Sequence, residues 1–377
     1  MVTEGWAGRE DGRPGQWFQY RKRRECKGLG AEPVRLDTAW YCCDFRPFRC
    51  RSHNGKTALQ PQLTRETPRA ANAPRDLEPR LARRRQVEAQ HHRGSHAHGH
   101  GDFPLQHEHV LATLLRTGLR LAGLYERGLA NARKPLVRHL RLEFDRLPQR
   151  LEGFQILHIS DPHIDGTDEL VDALTQQLPF LPVDLCVLTG DYRYDVRGSC
   201  ERVYPRMRRI LHAIRSRHGV LGILGNHDCA DIAVELEKMG VRMLINESVA
   251  IGPEESPLWV AGVDDPHYFG CDDLPAALRE VPEDAFKLLL AHTPEMFEDA
   301  ARAGISLYLT GHTHGGQIRL PGIGALATLA DCPRAYAYGP WRHRGVQGYT
   351  TSGVGCSLLP VRFGCPPEVA VIELARA

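Results

Sequence analysis

The sequence lacks any long apolar segment. No part of the 377-residue chain approaches the roughly 18 consecutive apolar residues that a membrane-spanning helix requires. Residues 1–20 also lack the charged start and apolar run of a secretory signal. We therefore expect a cytoplasmic protein, with peripheral attachment to the inner face of a membrane as the form of membrane contact left open.

The cysteine pattern of a disulfide-stabilised secreted domain is also missing. The chain has an odd number of cysteines, 11, and those beyond residue 180 are scattered singly. This favours free thiols in a reducing compartment. Cys42, Cys43 and Cys50 do not form the paired CxxC spacing of a zinc site, so zinc binding there is a disfavoured alternative.

Neither sign of charge dominates the chain as a whole. It contains 48 basic and 46 acidic side chains, for a formal net charge of +2. A protein that binds nucleic acid as a polycation would have a much larger positive charge. The first 100 residues nevertheless contain 20 basic and 11 acidic side chains, against 28 and 35 in the remainder. The distribution indicates a basic tail on a mildly acidic body.

Residues 1–103 lack the hydrophobic periodicity of a folded domain. Arginine clusters, frequent proline and few aliphatic residues predict a disordered, low-complexity tail. A histidine-rich run spans the end of this tail, and we interpret it as a solvated linker, with metal handling as the alternative. Its members are His91, His92, His96, His98, His100, His107 and His109. The sequence leaves open whether residues 1–103 belong to the native product, because Met1 is the only methionine before Met207.

Residues 104–135 form a second region with a helical pattern. Between Val110 and Ala130, apolar residues recur at helical spacing, and arginines occupy other parts of the helix surface. We expect this amphipathic helix to pack on the domain that follows; the alternative is that it lies on an anionic membrane surface. A half-buried strand is predicted next, because apolar and charged residues alternate over residues 140–144.

Residues 136–377 alternate short apolar runs with helical stretches, which is typical of an α/β fold. Helices are predicted over residues 170–178, 203–214 and 232–239. Six apolar runs end in residues that can bind metals, and they cover residues 154–159, 185–189, 220–224, 258–263, 286–290 and 305–310. Because open α/β sheets bind ligands at the carboxyl ends of their strands, we expect these endings to meet in one crevice.

The endings carry nitrogen and oxygen ligands and no thiolate. The candidates are Asp161, His163, Asp191, Asn226, His292, His312 and His314. This mixture favours manganese, iron or zinc over magnesium. Seven ligands are more than one tetrahedral ion needs. If Asp191 bridges, two divalent ions each receive four protein ligands.

The charge of such a centre indicates its substrate. Two divalent ions outweigh the carboxylates Asp161 and Asp191, which leaves a positive crevice that favours a phosphate group. The ions would also lower the pKa of bound water, so that hydroxide is available as a nucleophile. His227 lies beside Asn226 and is a candidate proton donor, because histidine titrates near neutral pH.

In order and composition, the motifs resemble those of the calcineurin-like metallophosphoesterases. They are Asp161-Pro-His163, Gly190-Asp191, Gly225-Asn226-His227-Asp228, Ala291-His292 and Gly311-His312-Thr313-His314. The segments 311–321 and 360–368 are further similar to the bacterial phosphodiesterase subfamily of YkuE- and YaeI-type proteins. Over residues 136–377 the resemblance implies an αββα sandwich, in which two mixed sheets flanked by helices hold two metal ions at their strand ends.

The same resemblance implies a role for each candidate residue. One ion would be held by Asp161, His163, Asp191 and His314, and the other by Asp191, Asn226, His292 and His312. A hydroxide held at the metals would attack the phosphorus in line, while the catalytic histidine, His227, assists the leaving group. The implied activity is that of a phosphodiesterase. Membrane lipid or lipid-sugar phosphoesters of the UDP-diacylglucosamine type are implied as substrates.

Two other functions are left open by the sequence. A DNA nuclease is disfavoured because the excess basic charge lies in the tail, and a non-catalytic binding scaffold is disfavoured because the ligand set is complete. The partner that orients His227 is not identified. Asp195 lies four residues after Asp191, whereas the protein phosphatases have an aspartate three residues on, and Asp228 is the other candidate. The oligomeric state is not predicted.

Three further features receive weaker assignments. Asp264 and Asp265 follow an apolar run, and we expect them to cap its turn rather than to line the substrate pocket. Arg319 and Arg362 are candidates for a second phosphate contact but are left outside the predicted site, because an exposed arginine is usually only solvated.

Overall fold

The computed structural model of the protein describes residues 75–92, 105–325 and 327–377, which all fall within the unit formed by residues 61–377. The predictions for residues 1–74, including the cysteines at positions 42, 43 and 50, lie outside the described residues. So do those for the histidines at positions 96, 98 and 100.

The first of two six-stranded sheets contains the strands that end in the first three predicted motifs. Its spatial order is β1 (Leu136–Phe144), β14 (Glu368–Arg376), β2 (Gln155–Ile159), β3 (Leu185–Leu188), β4 (Val220–Gly222) and β5 (Val241–Met243). All neighbours are parallel except β14 and β2. Every residue of β3 is buried, which is why this strand reads as a continuous apolar run rather than as an alternation.

The second sheet has the same number of strands and is also mixed. Its order is β12 (Gly339–His343), β13 (Val346–Thr350), β9 (Leu307–Thr310), β8 (Lys287–Leu290), β7 (Leu258–Gly262) and β6 (Glu247–Ile251). The β12–β13 and β7–β6 pairs are antiparallel, and the others are parallel. A short hairpin of β10 (Arg319–Leu320) and β11 (Gly324–Ala325) lies outside both sheets.

The two sheets pack face to face through an apolar core. Ile156 and Val187 of the first sheet share this core with Val260 and Leu288 of the second, and all four are fully buried. Alternate residues on the same strands face outward, as Leu157 does, into a second core beneath helices. A third core covers the outer face of the second sheet. The predicted αββα sandwich of two mixed sheets is therefore confirmed.

Eight helices occur in the described residues. They are α1 (Glu78–His92), α2 (Leu105–Leu121), α3 (Tyr125–Ala132), α4 (Asp168–Gln177), α5 (Val203–Ala213), α6 (Ala230–Lys238), α7 (Leu274–Ala277) and α8 (Phe297–Arg302). The helices predicted over residues 170–178, 203–214 and 232–239 correspond to α4, α5 and α6, and β1 covers the predicted strand at residues 140–144.

The region before β1 differs from the prediction in two ways. Residues 110–130 do not form one helix, because Gly123 has a left-handed backbone, with a φ of 68°, between α2 and α3. In addition, α1 lies within the segment assigned to a disordered tail. Together with the preceding Leu77, it packs on the sandwich through the buried residues Leu81 and Arg84, whose partners are distant in sequence.

The remaining expectations for this part of the chain concern membranes and thiols. Among the described residues, none of the helices combines the length and apolar character needed to cross a bilayer. The described cysteines are all free, as the sequence predicts.

Candidate active site

The polar residues that follow the strands of both sheets meet at one edge of the sandwich. The first sheet contributes Asp161 and His163 after β2, Asp191 after β3, and Asn226 and His227 after β4. The second sheet contributes His292 after β8, and His312 and His314 after β9. The strand ends converge here because the two sheets pack face to face through a common core.

The carboxylate of Asp191 lies at the centre of this cluster. Its Oδ2 atom is 3.2 Å from Nε2 of His292, 3.6 Å from Nε2 of His163 and 3.9 Å from Nε2 of His227. Its Oδ1 atom accepts a hydrogen bond of 2.9 Å from the backbone N–H of His227. One carboxylate therefore faces imidazoles from both sheets.

Asp161 and the last two histidines complete the arrangement. Nε2 of His314 is 3.2 Å from Nε2 of His163 and 3.7 Å from Oδ1 of Asp161. On the other side, Nδ1 of His312 is 2.9 Å from Oδ1 of Asn226. Three overlapping groups have ligand atoms close enough to hold a metal ion: Asp161, His163 and His314; His163, Asp191 and His227; and Asp191, His292 and His312.

The cluster is buried on one side and open on the other. Asp161 and His292 have no exposed surface, and Asp191 is also buried. The side chain of His227 is 19% exposed, and Asn226 and His312 are half-buried. A substrate therefore reaches the cluster from the side lined by these three residues.

The backbone at the cluster is strained. Ten non-glycine residues in the described part of the chain have a positive φ, and five of them are predicted ligands: Asp161, His163, Asp191, His312 and His314. Such conformations cost free energy and persist where function requires the geometry. The position of Gly225 requires glycine, because a Cβ atom there would collide with the Asp191 carboxylate.

Hydrogen bonds to backbone carbonyls fix the orientation of three imidazoles. Nδ1 of His163 donates to the Arg193 carbonyl at 2.7 Å, and Nδ1 of His292 donates to the Thr189 carbonyl at 2.7 Å. Nδ1 of His227 donates to the Tyr194 carbonyl at 2.6 Å. A proton on Nδ1 leaves the Nε2 lone pair of a neutral ring directed into the cluster, which is the arrangement that metal-binding histidines adopt.

Burial and neighbouring charges set the protonation of the cluster. Burial lowers the pKa of His163 and of His312 to about 3, so both rings are neutral near pH 7 and can act as ligands. Burial raises the pKa of Asp161 to about 6. Burial opposes the charge of His292, but the Asp191 carboxylate dominates and raises the pKa of His292 to about 10.

These residues fit divalent cations. Nε2 of His292 is fully buried and makes no hydrogen bond of regular geometry, although Oδ2 of Asp191 lies 3.2 Å away, and a buried polar atom needs a group that satisfies it. A cation can do so, and it would compete with a proton for the same lone pair. The donors are imidazole, carboxylate and amide, the set that suits manganese, iron or zinc.

Comparison with known proteins agrees with this chemistry. The family model described as calcineurin-like phosphoesterase matches residues 154–316. Phosphodiesterase YaeI of Escherichia coli strain K12 is 30% identical over 250 residues, which cover 63% of this chain and 87% of that protein. The chain belongs to the calcineurin-like phosphoesterase family. Like other members, this phosphoesterase is a hydrolase of phosphoric esters that uses divalent metal ions.

The phosphoesterase is also similar in sequence to a second bacterial protein and to a bovine protein. Metallophosphoesterase YkuE of Bacillus subtilis strain 168 is 29% identical over 238 residues, covering 60% of this chain and 81% of that protein. A Bos taurus protein named "Transmembrane protein with metallophosphoesterase domain" is 34% identical over 291 residues, covering 71% of this chain and 62% of that protein.

The partner that orients His227 is a group to which sequence reasoning gave no weight. It is the backbone carbonyl of Tyr194, and Asp195 is exposed. Asp228 instead accepts hydrogen bonds from the backbone N–H groups of Asp191, Tyr192 and Gly225, each at 2.8 Å. The orienting partner, which the sequence left unidentified, is therefore neither aspartate in the structure, and a carbonyl leaves no signal in residue type.

The arginines considered for phosphate contact also have structural partners. Arg362 is fully buried and donates to backbone carbonyls, including that of Ser352 at 2.8 Å, while its guanidinium lies 3.2 Å from Nδ1 of His314. Arg319 donates to the Gly315 carbonyl at 2.9 Å. Of the two aspartates expected to cap the turn after β7, Asp265 accepts from the N–H groups of Tyr268 and Phe269 at 2.7 Å, whereas Asp264 forms a buried ion pair with Arg84.

Proposed function

We propose that this phosphoesterase is a binuclear metal-dependent phosphodiesterase. The observation that carries the proposal is the position of Asp191, whose Oδ2 atom lies within 4 Å of Nε2 of His163, His227 and His292. A carboxylate between two groups of imidazoles is suited to a bridging position, because each of its oxygen atoms has more than one lone pair.

Two overlapping ligand sets follow from this position. Asp161, His163, Asp191 and His314 would hold one divalent ion, and Asp191, Asn226, His292 and His312 would hold the other. When bound, two such ions neutralise phosphate charge and lower the pKa of water at the site. Manganese, iron and zinc suit these donors better than magnesium does, because imidazole nitrogens are among them.

His227 would act as the catalytic histidine. Its Nδ1 proton is held by the Tyr194 carbonyl, so Nε2 faces the cluster, 3.9 Å from Asp191 Oδ2. Its side chain is partly exposed, and it can therefore contact a substrate oxygen without displacing other protein atoms. A proton on Nε2 can pass to the leaving oxygen as the ester bond breaks.

We propose lipid or lipid-sugar phosphodiesters as the substrate class. Exposed apolar side chains occur on α2, where Leu114 is 65% and Leu121 is 86% exposed. Another, Leu329, is 61% exposed, and its carbonyl lies 3.0 Å from Nε2 of His312. Exposed apolar groups near a phosphate site are suited to a substrate that carries acyl chains.

The same surface supports peripheral association with an anionic membrane. Arg116, Arg120 and Arg127 are exposed on α2 and α3, next to the apolar residues. This face adjoins the site through α3, because the carbonyl of Gly128 accepts from the backbone N–H of Arg362 at 3.0 Å, and the Arg362 guanidinium lies 3.2 Å from Nδ1 of His314. The name of the bovine relative, a transmembrane protein with a metallophosphoesterase domain, is consistent with work at a membrane.

Activity measurements on purified protein test the catalytic part of the proposal. After removal of metals with a chelator, manganese, zinc and magnesium are added back separately, and hydrolysis of bis(p-nitrophenyl) phosphate is compared with that of p-nitrophenyl phosphate. We expect metal-dependent cleavage, faster with the diester. Activity that survives metal removal would refute the proposal, and cleavage of DNA faster than of the diester would favour the nuclease.

Vesicle sedimentation tests the membrane part. We expect binding to vesicles with phosphatidylglycerol and weaker binding to vesicles of phosphatidylcholine alone. The double variant Leu114→Glu with Leu121→Glu should lose binding. Phe180→Glu is the matched control, because Phe180 is 82% exposed and follows α4, outside this surface. Equal binding by both variants would contradict the assignment.

A further inference from the structure

The helix α1 contains a buried charge that none of the assigned functions explains. Arg84 has no exposed surface, although it lies 70 residues ahead of residue 154, where the match to the family model begins. Burying a guanidinium is unfavourable unless its donors are satisfied, so its partners indicate what the helix holds in place.

Apart from Glu88 of α1 itself, whose carboxylate lies 3.2 Å from its Nε, the partners of Arg84 lie in two loops of the sandwich. One terminal nitrogen donates to Oδ1 of Asp264 at 2.5 Å, and the ring of Phe269 stacks 3.5 Å from the guanidinium carbon. The other terminal nitrogen donates to the carbonyls of Gly225 at 2.9 Å and Asp228 at 2.6 Å. The planar fork of an arginine can make all these contacts at once, which a lysine cannot.

The two carbonyls belong to the loop that carries Asn226 and His227. From inside the domain, Asp228 Oδ2 accepts from the backbone N–H groups of Asp191 and Gly225, which ties this loop to the loop after β3. Arg84 binds the carbonyls at the two ends of the same four-residue segment. A second contact from α1 follows directly, since Glu88 accepts from the N–H of Ala230 at 2.8 Å.

We propose that Arg84 is a positioning residue for catalysis, which fixes the segment 225–228 so that Asn226 and His227 face Asp191. The proposal rests on the roles proposed above for these two residues. It also makes α1, a helix outside the range matched by the family model, part of the working enzyme. Small displacements of a catalytic group reduce rates strongly, by about 100-fold for 1 Å.

Substitution of Arg84 by lysine tests this role, because lysine keeps the charge and loses the fork. In the full-length protein, we expect Arg84→Lys to lower kcat by about 10- to 100-fold, with a smaller change in KM and an altered pH profile. Hydrogen exchange measured by mass spectrometry should become faster for the amides of residues 226–230 and stay unchanged in β3.

Two control variants separate positioning from general stability. Arg85→Lys is the matched control on the same helix, since Arg85 is 36% exposed and pairs at the surface with Glu78 and Asp231. It should leave kcat and exchange unchanged. Asp264→Asn leaves the two carbonyl acceptors in place, and it should lower the melting temperature with a smaller loss of kcat than Arg84→Lys.

Specific outcomes would overturn the inference. One is a wild-type kcat, pH profile and exchange rate in Arg84→Lys. Another is an equal loss of kcat in Asp264→Asn and Arg84→Lys at equal melting temperature, which reports destabilisation alone. The test also distinguishes this inference from the proposed function. If exchange at residues 226–230 rises in Arg84→Lys but His227→Ala is fully active, the loop contact stands and the catalytic role of His227 fails.

Discussion

The two sheets of the sandwich contribute chemically different groups to the same site. The first sheet supplies the carboxylates Asp161 and Asp191, the amide of Asn226 and the rings of His163 and His227. The second supplies only imidazoles, those of His292, His312 and His314. All the negative charge of the seven predicted ligands and His227 therefore comes from one side. The carboxylates of the first sheet supply the charge that attracts cations, and the second sheet adds imidazole donors that shape their coordination.

The largest effect is expected when the shared carboxylate of the first sheet is removed. Asp191→Ala should lower kcat/KM by about 10³-fold or more, because both proposed metal positions lose a ligand and a negative charge. Asp195→Ala is the matched control, since this neighbouring carboxylate is exposed and should leave activity unchanged. Steady-state kinetics with a diester substrate measure the difference. Activity of Asp191→Ala within tenfold of wild type would contradict a role for this carboxylate at both metal positions.

Replacing His227 should reduce activity less than replacing Asp191 does, and without loss of metal. His227 follows a strand of the first sheet, but it is not among the proposed ligands. His227→Ala should lower kcat by about 10²- to 10³-fold while the bound metal content stays the same. His212→Ala, an exposed histidine on α5, is the control. Kinetics and metal analysis on the same samples separate the two roles. Loss of metal together with activity would reassign His227 as a ligand.

The neutral donors of the second sheet should be easier to replace than the carboxylates. His314→Ala is expected to lose about 10- to 100-fold in metal affinity, and excess manganese should restore much of its activity. Asp161→Ala should resist this rescue, because the charge that attracts the cation is gone. Titration of activity with manganese compares the two variants. Identical rescue curves would contradict the division of labour between the sheets.

The smallest effect concerns a carboxylate of the second sheet that lies beside the ligands rather than among them. Glu295 accepts a hydrogen bond of 2.9 Å from His267, whose ring centroid is 4.4 Å from that of His312. Burial alone would raise the pKa of Glu295, but the His267 interaction dominates and lowers it from 4.5 to about 2.

A carboxylate with a lowered pKa stabilises the folded state above its ordinary pKa and loses that contribution as the pH falls through the lowered value. Wild type should therefore lose about 1–3 kcal/mol from this group between pH 4.5 and 2. Glu295→Gln should show a correspondingly flatter acid dependence in denaturant titrations. An unchanged slope would exclude the His267–Glu295 pair as a source of acid sensitivity.

The site was largely predictable from the sequence because strand ends carry a recognisable pattern. Buried strands appear as short apolar runs, and a metal-binding residue directly after such a run needs only the sheet geometry to find its neighbours. This pattern predicts Asp161, Asp191 and His292 as ligands, and the fold class follows from the same runs.

The parts that were missed have no comparable pattern. Arg84 contacts Gly225 and Asp264, which are separated from it by 141 and 180 positions in the sequence. A basic helix with few aliphatic residues has the composition of a solvated tail. The carbonyls of Arg193 and Tyr194 orient His163 and His227, but any residue type has a carbonyl. The burial of Arg84 and the orientation of the two imidazoles both depend on tertiary packing, which cannot be inferred from local sequence.

The central claim is that loops from both sheets form one centre in which Asp191 is shared by two ions. Metal content per chain, measured by mass spectrometry after dialysis in manganese, tests it most directly. The account predicts about two ions in wild type, about one in His314→Ala and close to none in Asp191→Ala. Retention of two ions by Asp191→Ala, or a single ion in wild type, would contradict it.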